Sequence, residues 1–197
     1  NANGDTLWVR KLHPPGDLAS FQNCALDDSL NIILTGVRAH CVSFPPPGGC
    51  FDSMLTVKYS TNGELRWVKT YWYPLAVMVG GFGQKTVIDQ FGNSYVGAKA
   101  LITGYNIYLM VKYDLNGNQQ WISSYSGLSD SFLKSIAIDR IHNFVFVSGY
   151  LRNGYDLGTV KYSTFESGFP LVRLYSLSRF TPVTAKRFII ALPALPS

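Results

Sequence analysis

Residues 55–71 read LTVKYSTNGELRWVKTY, and residues 109–125 read LMVKYDLNGNQQWISSY. Val57, Lys58, Tyr59, Asn62, Gly63, Trp67 and Tyr71 return as Val111, Lys112, Tyr113, Asn116, Gly117, Trp121 and Tyr125, all at one constant offset. An internal repeat of this kind means a chain assembled from copies of one supersecondary unit, each covering its apolar face with the next. In each copy two short runs rich in β-branched and aromatic residues flank Asn-Gly, the dipeptide that most easily adopts the positive φ angles of a tight turn. Each copy is therefore expected to be a β-hairpin. Alternation along the runs places the Trp and Tyr in a sheet-to-sheet core and sends Lys58 and Lys112 to solvent on the other face.

Two further copies are incomplete. In residues 158–175, Thr159-Val160-Lys161-Tyr162 repeats the first run and Leu171-Val172-Arg173-Leu174-Tyr175 the second, with Ser163 to Pro170 in place of Asn-Gly. Residues 3–11, NGDTLWVRK, hold the turn and the second run but no first run. A second recurring element lies between the hairpins: an apolar strand ending in Asp, a turn, and an apolar strand ending near Gly. It occurs at residues 26–36 (LDDSLNIILTG), 88–97 (IDQFGNSYVG) and 138–149 (IDRIHNFVFVSG). In each, Asp stands four residues before Asn, as expected if its carboxylate accepts the N–H groups of the turn and Asn takes the left-handed conformation. A calcium role for these aspartates fits less well, because one oxygen-rich residue per turn falls far short of the roughly six to eight oxygens calcium takes.

Of 197 residues, 47% are hydrophobic and only 15% charged, which describes a globular chain with a sizeable core and little of the charge that helical surfaces carry. Eighteen Gly, ten Pro and an aromatic fraction of 14% favour many short strands and turns, so the fold class is all-β. No apolar run approaches the roughly 18 residues of a membrane-spanning helix. The first residue is Asn, which is read as a processed chain or a piece of a longer one, with any leader already removed. The net charge of +5 is spread one lysine per hairpin and not clustered on one face, so nucleic acid is not an expected partner.

Cys41 and Cys50 bracket VSFPPPGG, a short loop that can bring its ends together as a disulfide, and this pair points to an oxidising compartment. Cys24, in an apolar strand pattern, is expected to be a buried thiol. No C-x-x-C occurs, and His40 adds a single further ligand, so neither a metal nor another cofactor is expected.

Adding the two recurring elements gives four strands in a period of about fifty residues, the size of a β-propeller blade. The run V-K-Y-x-x-N-G-x-x-x-W-(V/I), followed by (L/I)-D-x-x-(G)-N, resembles the bacterial β-propeller repeat family of the SBBP type. The resemblance covers nearly the whole chain and fades after about Phe165. It implies a secreted or cell-surface protein used as a scaffold or binding module, and it carries no catalytic residues. By analogy with other propellers, the strand ending in Asp is innermost and the Trp strand outermost. That assigns one propeller domain or segment over 1–197, with blades at about 21–71, 82–125 and 132–175 and partial-blade strands at 5–12 and 183–192. Three whole blades do not close a conventional ring. Closure is expected from a longer polypeptide, from strand exchange between copies, or from a compact four-bladed ring in which the Trp8 strand meets the C-terminal segment.

Few residues suggest chemistry. Gly81-Phe82-Gly83-Gln84-Lys85 is a fragment of a phosphate-loop pattern with Thr86 next and no helical pattern after it. His13, His40 and His142 share no motif spacing, and His142 occupies a turn position where a solvated histidine is expected. The only glutamates, Glu64 and Glu166, both sit at hairpin turns, which disfavours a paired-carboxylate glycosidase. Trp8, Trp67 and Trp121 are in phase with the repeat and read as core, whereas Trp72 is out of phase. Trp72 with Tyr73, and Tyr105, Tyr108, Tyr150 and Tyr155 at the equivalent edge of later blades, are the candidate ligand or partner contacts. Together these features indicate a non-enzymatic extracellular scaffold that pairs with itself or with a larger surface assembly. A lectin-like, carbohydrate- or other ligand-binding propeller is the alternative.

Overall fold

A computed structural model of the chain describes residues 5–12, 17–42, 49–72, 76–79, 85–102, 104–125, 130–151 and 156–164. Strands β1 (Asp17–Leu26), β2 (Ile32–Val42), β3 (Gly49–Tyr59) and β4 (Leu65–Tyr71) pair antiparallel in chain order. A short strand, β5 (Ala76–Val79), follows. Strands β6 (Lys85–Ile88), β7 (Ser94–Ile102), β8 (Tyr105–Tyr113) and β9 (Gln119–Tyr125) form a second meander, and β10 (Phe132–Asp139), β11 (Phe144–Leu151) and β12 (Asp156–Ser163) a third. The protein is thus all-β, with antiparallel sheets of three or four strands and no helix among the described residues.

β5 follows the first meander in the chain. This strand pairs parallel with β3 at Asp52 and Met78 and antiparallel with β7, so it ties the first two meanders together.

The repeated sequence produces repeated register. Val57 faces Val68 and Lys58 faces Trp67 across β3 and β4; Val111 faces Ile122 and Lys112 faces Trp121 across β8 and β9. Both hairpins shift register immediately after the lysine. The glycines that end the second recurring element also have a structural reason. β1 and β10 each carry a bulge, between Phe21 and Asn23 and between Leu133 and Ser135. Gly36 and Gly149 face these bulges, where an added Cβ would collide with the backbone at Ser20 and Phe132.

The three sheets stack through their flat faces. Val96, Ala98, Leu109, Val111 and Tyr113 of the second sheet pack with Met54 of the first, and Tyr95, Tyr108 and Met110 on its other face pack with Leu133, Val145, Val147, Val160 and Tyr162 of the third. The second sheet is therefore covered on both sides, and β8 is buried at every position from Ile107 to Tyr113. This overturns the expectation for the lysines: Lys58 and Lys112 are buried, because the strand that carries each has protein on both faces. Cys24 is likewise corrected. It is exposed, because among the described residues β1 pairs only with β2 and leaves Leu18, Phe21 and Leu26 exposed as well. Residues 5–12, expected as a strand, make no ladder; Leu12 packs against Leu55, Val57 and Tyr59. The expected strands at 171–175 and 183–192, the loop at 43–48 and Gly81-Phe82-Gly83 lie outside the described residues.

Candidate functional site

At one end of the sheets lie the aspartate turns. Asp27 Oδ1 accepts the N–H groups of Ser29 and Asn31 at 2.9 Å each, and Asp89 Oδ1 accepts those of Phe91 and Asn93 at 2.9 Å. The Asn31 and Asn93 side-chain amides donate back to the same carboxylates. The left-handed residue, however, is Leu30 in the first turn and Gly92 in the second, one position before the Asn; only in the third does Asn143 itself take positive φ. The reason is that Asn31 and Asn93 are held by their own hydrogen bonds to Asp. In the third turn His142 replaces that donor, with Nδ1 2.7 Å from Asp139 Oδ2 and its side chain largely exposed, as the turn-histidine reading requires.

These turns meet one another. The Arg140 guanidinium spans all three: Nη1 lies 2.8 Å from Asp28 Oδ1 of the first turn, and Nε donates to the Ile88 carbonyl at the second at 3.2 Å. Gln90 Nε2 donates to Asn143 Oδ1 at 3.3 Å. The sequence offers no repeat-based indication of this link, since Arg140 aligns with Asp28 and Gln90 and has no counterpart of its own charge.

A second contact, also unanticipated, joins each sheet to the next. Trp67 of β4 packs against Tyr113 of the second sheet (centroids 6.0 Å apart), its Nε1–H donates to the Leu115 carbonyl at 3.1 Å, and its ring covers Gly117. Trp8 makes the same set on the first sheet: Tyr59 at 6.4 Å, the Thr61 carbonyl at 3.1 Å, and Gly63 beneath its ring. Trp121 stacks on Tyr162 of the third sheet at 6.2 Å. The Gly of each Asn-Gly turn is thus required twice, for its positive φ (77° and 81°) and for the indole lying on it. These three tryptophans, expected as core, are partly buried, and the indole N–H of Trp8 and of Trp67 reaches a turn carbonyl.

The opposite end holds the candidate contact residues. Trp72 is 55% exposed and Tyr150 40%, with the Lys134 ammonium 5.3 Å from the Tyr150 ring centre. Tyr105 is half-buried against the core between the first two sheets. Tyr108 is a correction: it is fully buried, its hydroxyl donates to the Tyr150 carbonyl at 3.1 Å, and it presents no surface to a ligand because its face of β8 meets the third sheet. Tyr73 and Tyr155 lie outside the described residues. Cys41 and Cys50 stand directly opposite each other across β2 and β3, near the same end; their side chains are outside the described residues.

The buried charges are locally compensated. Lys58 Nζ lies 2.9 Å from Asp27 Oδ2, whereas Lys112 Nζ donates to the Thr164 carbonyl at 2.9 Å and sits over the Tyr95 ring. Burial pushes the Asp27 carboxyl up, but hydrogen bonds from Asn31 and Lys58 and the lysine charge outweigh it and hold the group below its ordinary value. Burial raises the phenol of Tyr95, with Asp89 beside it adding to the effect, and burial likewise raises Tyr108 and Tyr162. These are structural tyrosines, far from ionising near neutrality.

Among the described residues, no group of three or more His, Cys, Asp or Glu is placed to hold a metal ion. No helix among them is long and apolar enough to cross a membrane. No protein-family profile matches the chain, and no curated protein matches it.

Proposed function

We propose that the chain is a β-propeller, or part of one, that serves as a non-enzymatic scaffold or protein-interaction module outside the cell or on its surface. The observation that carries this reading is the recurring contact of a tryptophan with the tyrosine of a V-K-Y strand, made by Trp8 on Tyr59, Trp67 on Tyr113 and Trp121 on Tyr162, with the turn glycine beneath the indole in the first two. Meandering sheets stacked through such a contact are what the blades of a propeller require. The described polar groups are engaged mainly in holding turns and sheets together: the aspartates close turns, Arg140 joins three of them, buried Lys58 pairs with Asp27, and buried Lys112 donates to the Thr164 carbonyl. An extracellular location is supported by Cys41 and Cys50 facing each other across an antiparallel pair, where Cα atoms stand about 4.5 to 5.5 Å apart, within the range a disulfide spans.

Exposed Trp72 favours a second reading, a propeller that binds carbohydrate by stacking a sugar on the indole. A glycan array probed with the labelled chain and with Trp72→Ala separates the two. The scaffold reading expects no glycan retained by either protein. Retention by the parent chain and loss in the variant replaces it with the lectin-like reading.

A further inference from the structure

Asn62 and Asn116 stand apart from the other described asparagines. The side-chain amides of Asn23, Asn31, Asn93, Asn106, Asn118 and Asn143 are each engaged in a hydrogen bond, most of them with an aspartate. Those of Asn62 and Asn116 are exposed and make none among the described residues. Positive φ, the other reason for Asn in a turn, falls on Gly63 and Gly117 instead. Each of these two side chains is thus left without a structural partner, and each precedes a glycine. Two further Asn-Gly pairs, Asn3-Gly4 and Asn153-Gly154, lie outside the described residues.

An asparagine so placed can react with its own main chain, because no Cβ on the glycine crowds the following amide nitrogen. At Asn116, the Gly117 nitrogen gives up its proton and bonds to the Asn116 Cγ, and the side-chain nitrogen leaves as ammonia. A five-membered cyclic imide results. Water then opens the imide at one of its two carbonyls and leaves either aspartate or isoaspartate at position 116, the latter with one extra carbon in the main chain.

The indole that rests on each turn stands in the way of this reaction. Trp67 straddles Asn116: its Nε1–H donates to the Leu115 carbonyl on one side at 3.1 Å, and its ring lies on Gly117 on the other. Trp8 straddles Asn62 in the same way, with its N–H on the Thr61 carbonyl at 3.1 Å and Gly63 beneath its ring. The attacking nitrogen is held too. The Gly117 N–H donates to the Asp114 carbonyl at 3.0 Å, and the Gly63 N–H to the Ser60 carbonyl at 2.9 Å. To reach Cγ, the glycine nitrogen must leave that carbonyl and its peptide plane must turn, which carries the glycine out from under the indole. Reaction and sheet contact therefore exclude each other. We infer that Asn62 and Asn116 are modification sites that lose their side-chain amides only in molecules where Trp8 or Trp67 has lifted from the turn. Isoaspartate at either position makes the lifting permanent, because the lengthened main chain no longer sets the glycine beneath the ring. The tryptophan contacts are thus joints between structural units and guards of the chemistry under them.

Peptide mapping by mass spectrometry, with the chain held in mildly alkaline buffer, reads the conversion of Asn62 and Asn116 separately. In urea both should convert at similar rates, since only the local sequence then matters. In native buffer both should be slower by about tenfold or more, because only locally opened molecules react. Trp67→Phe keeps a ring over Gly117 but removes the indole N–H; it should speed Asn116 several-fold and leave Asn62 at the parent rate. Trp8→Phe should do the converse. Native conversion as fast as conversion in urea overturns the inference, and so does a folded Trp67→Phe chain whose ratio of Asn116 to Asn62 conversion equals the parent's. A variant that fails to fold speeds both sites together, and the parent's native-to-urea ratio then decides alone.

Discussion

Lys58 reaches along the first sheet to Asp27, Nζ to Oδ2 at 2.9 Å, with the two side chains only 7% and 6% exposed. A lysine on the repeat's most regular strand thus anchors the turn that begins the preceding hairpin. Its cost of burial is offset by the partner carboxylate and by the Asn31 amide on that carboxylate.

Removing one member of this pair leaves an uncompensated buried charge. Lys58→Ala is expected to destabilise the chain by about 3 to 5 kcal/mol. Lys58→Met combined with Asp27→Asn should cost clearly less than the sum of the single changes. Urea denaturation of the four proteins in a double-mutant cycle measures the coupling, and additive losses would refute it.

The same carboxylate sets an acid limit. Its folded-state pKa lies below the ordinary 3.8, so under acid conditions the folded chain binds fewer protons than the unfolded chain. The stability it contributes is whole above the ordinary value and is lost as pH falls through the lower folded value. Asp114 shifts in the same direction: desolvation raises its carboxyl, but hydrogen bonds from Asn118, Asn116 and Gly117 outweigh it. The urea midpoint of the parent should therefore fall between about pH 4 and pH 2, and Asp27→Asn should flatten part of that fall.

The glycines separate backbone strain from packing. Gly104 and Gly117 both have positive φ, 95° and 81°, but a Cβ on Gly104 meets nothing within 4 Å whereas one on Gly117 stands 2.8 Å from Trp67 Cδ2. Gly104→Ala should cost about 1 to 2 kcal/mol, the strain of a left-handed L-residue, and Gly117→Ala clearly more. Equal losses would remove Trp67 from the account. The reciprocal change is Leu30→Gly, which relieves a φ of 59° at an exposed leucine and should stabilise by up to about 1 kcal/mol.

Cys41 and Cys50 should form a disulfide in the oxidised protein, with Cys24 left as the reactive thiol. Closing so short a loop contributes about 2 to 3 kcal/mol. Thiol labelling of the denatured, non-reduced chain should find one free thiol per molecule; three would rule the bridge out.

The hairpins were legible because their determinants are local. Asn62-Gly63 and Asn116-Gly117 turn the chain, the flanking runs favour strand, and the Asp-to-Asn spacing anticipates hydrogen bonds closed within five residues. Which residue turns left-handed was less legible, because Leu30 is driven there by the bonds that hold Asn31, not by its own preference. The burial of the lysines is hidden in the sequence for a different reason. Five consecutive apolar residues, Ile107 to Val111, already resemble a strand covered on both faces, but the V-K-Y alternation equally fits a strand with a single buried face. Arg140's reach to Asp28 and Ile88 was not legible at all, since it depends on how three separate turns are brought together.

By itself, then, the sequence determined the repeated hairpins, their turn chemistry and the repetition of register, because each follows from side chains within a few residues of one another and from the twofold period of a strand. Only the tertiary structure decided which faces those strands bury, where Lys58 and Lys112 find their partners, and that Trp8, Trp67 and Trp121 rest on Tyr59, Tyr113 and Tyr162, the first two on a turn glycine as well. Stacking one sheet on another is a long-range event. A strand's residues state which positions alternate, but they do not state whether protein or water lies beyond each face.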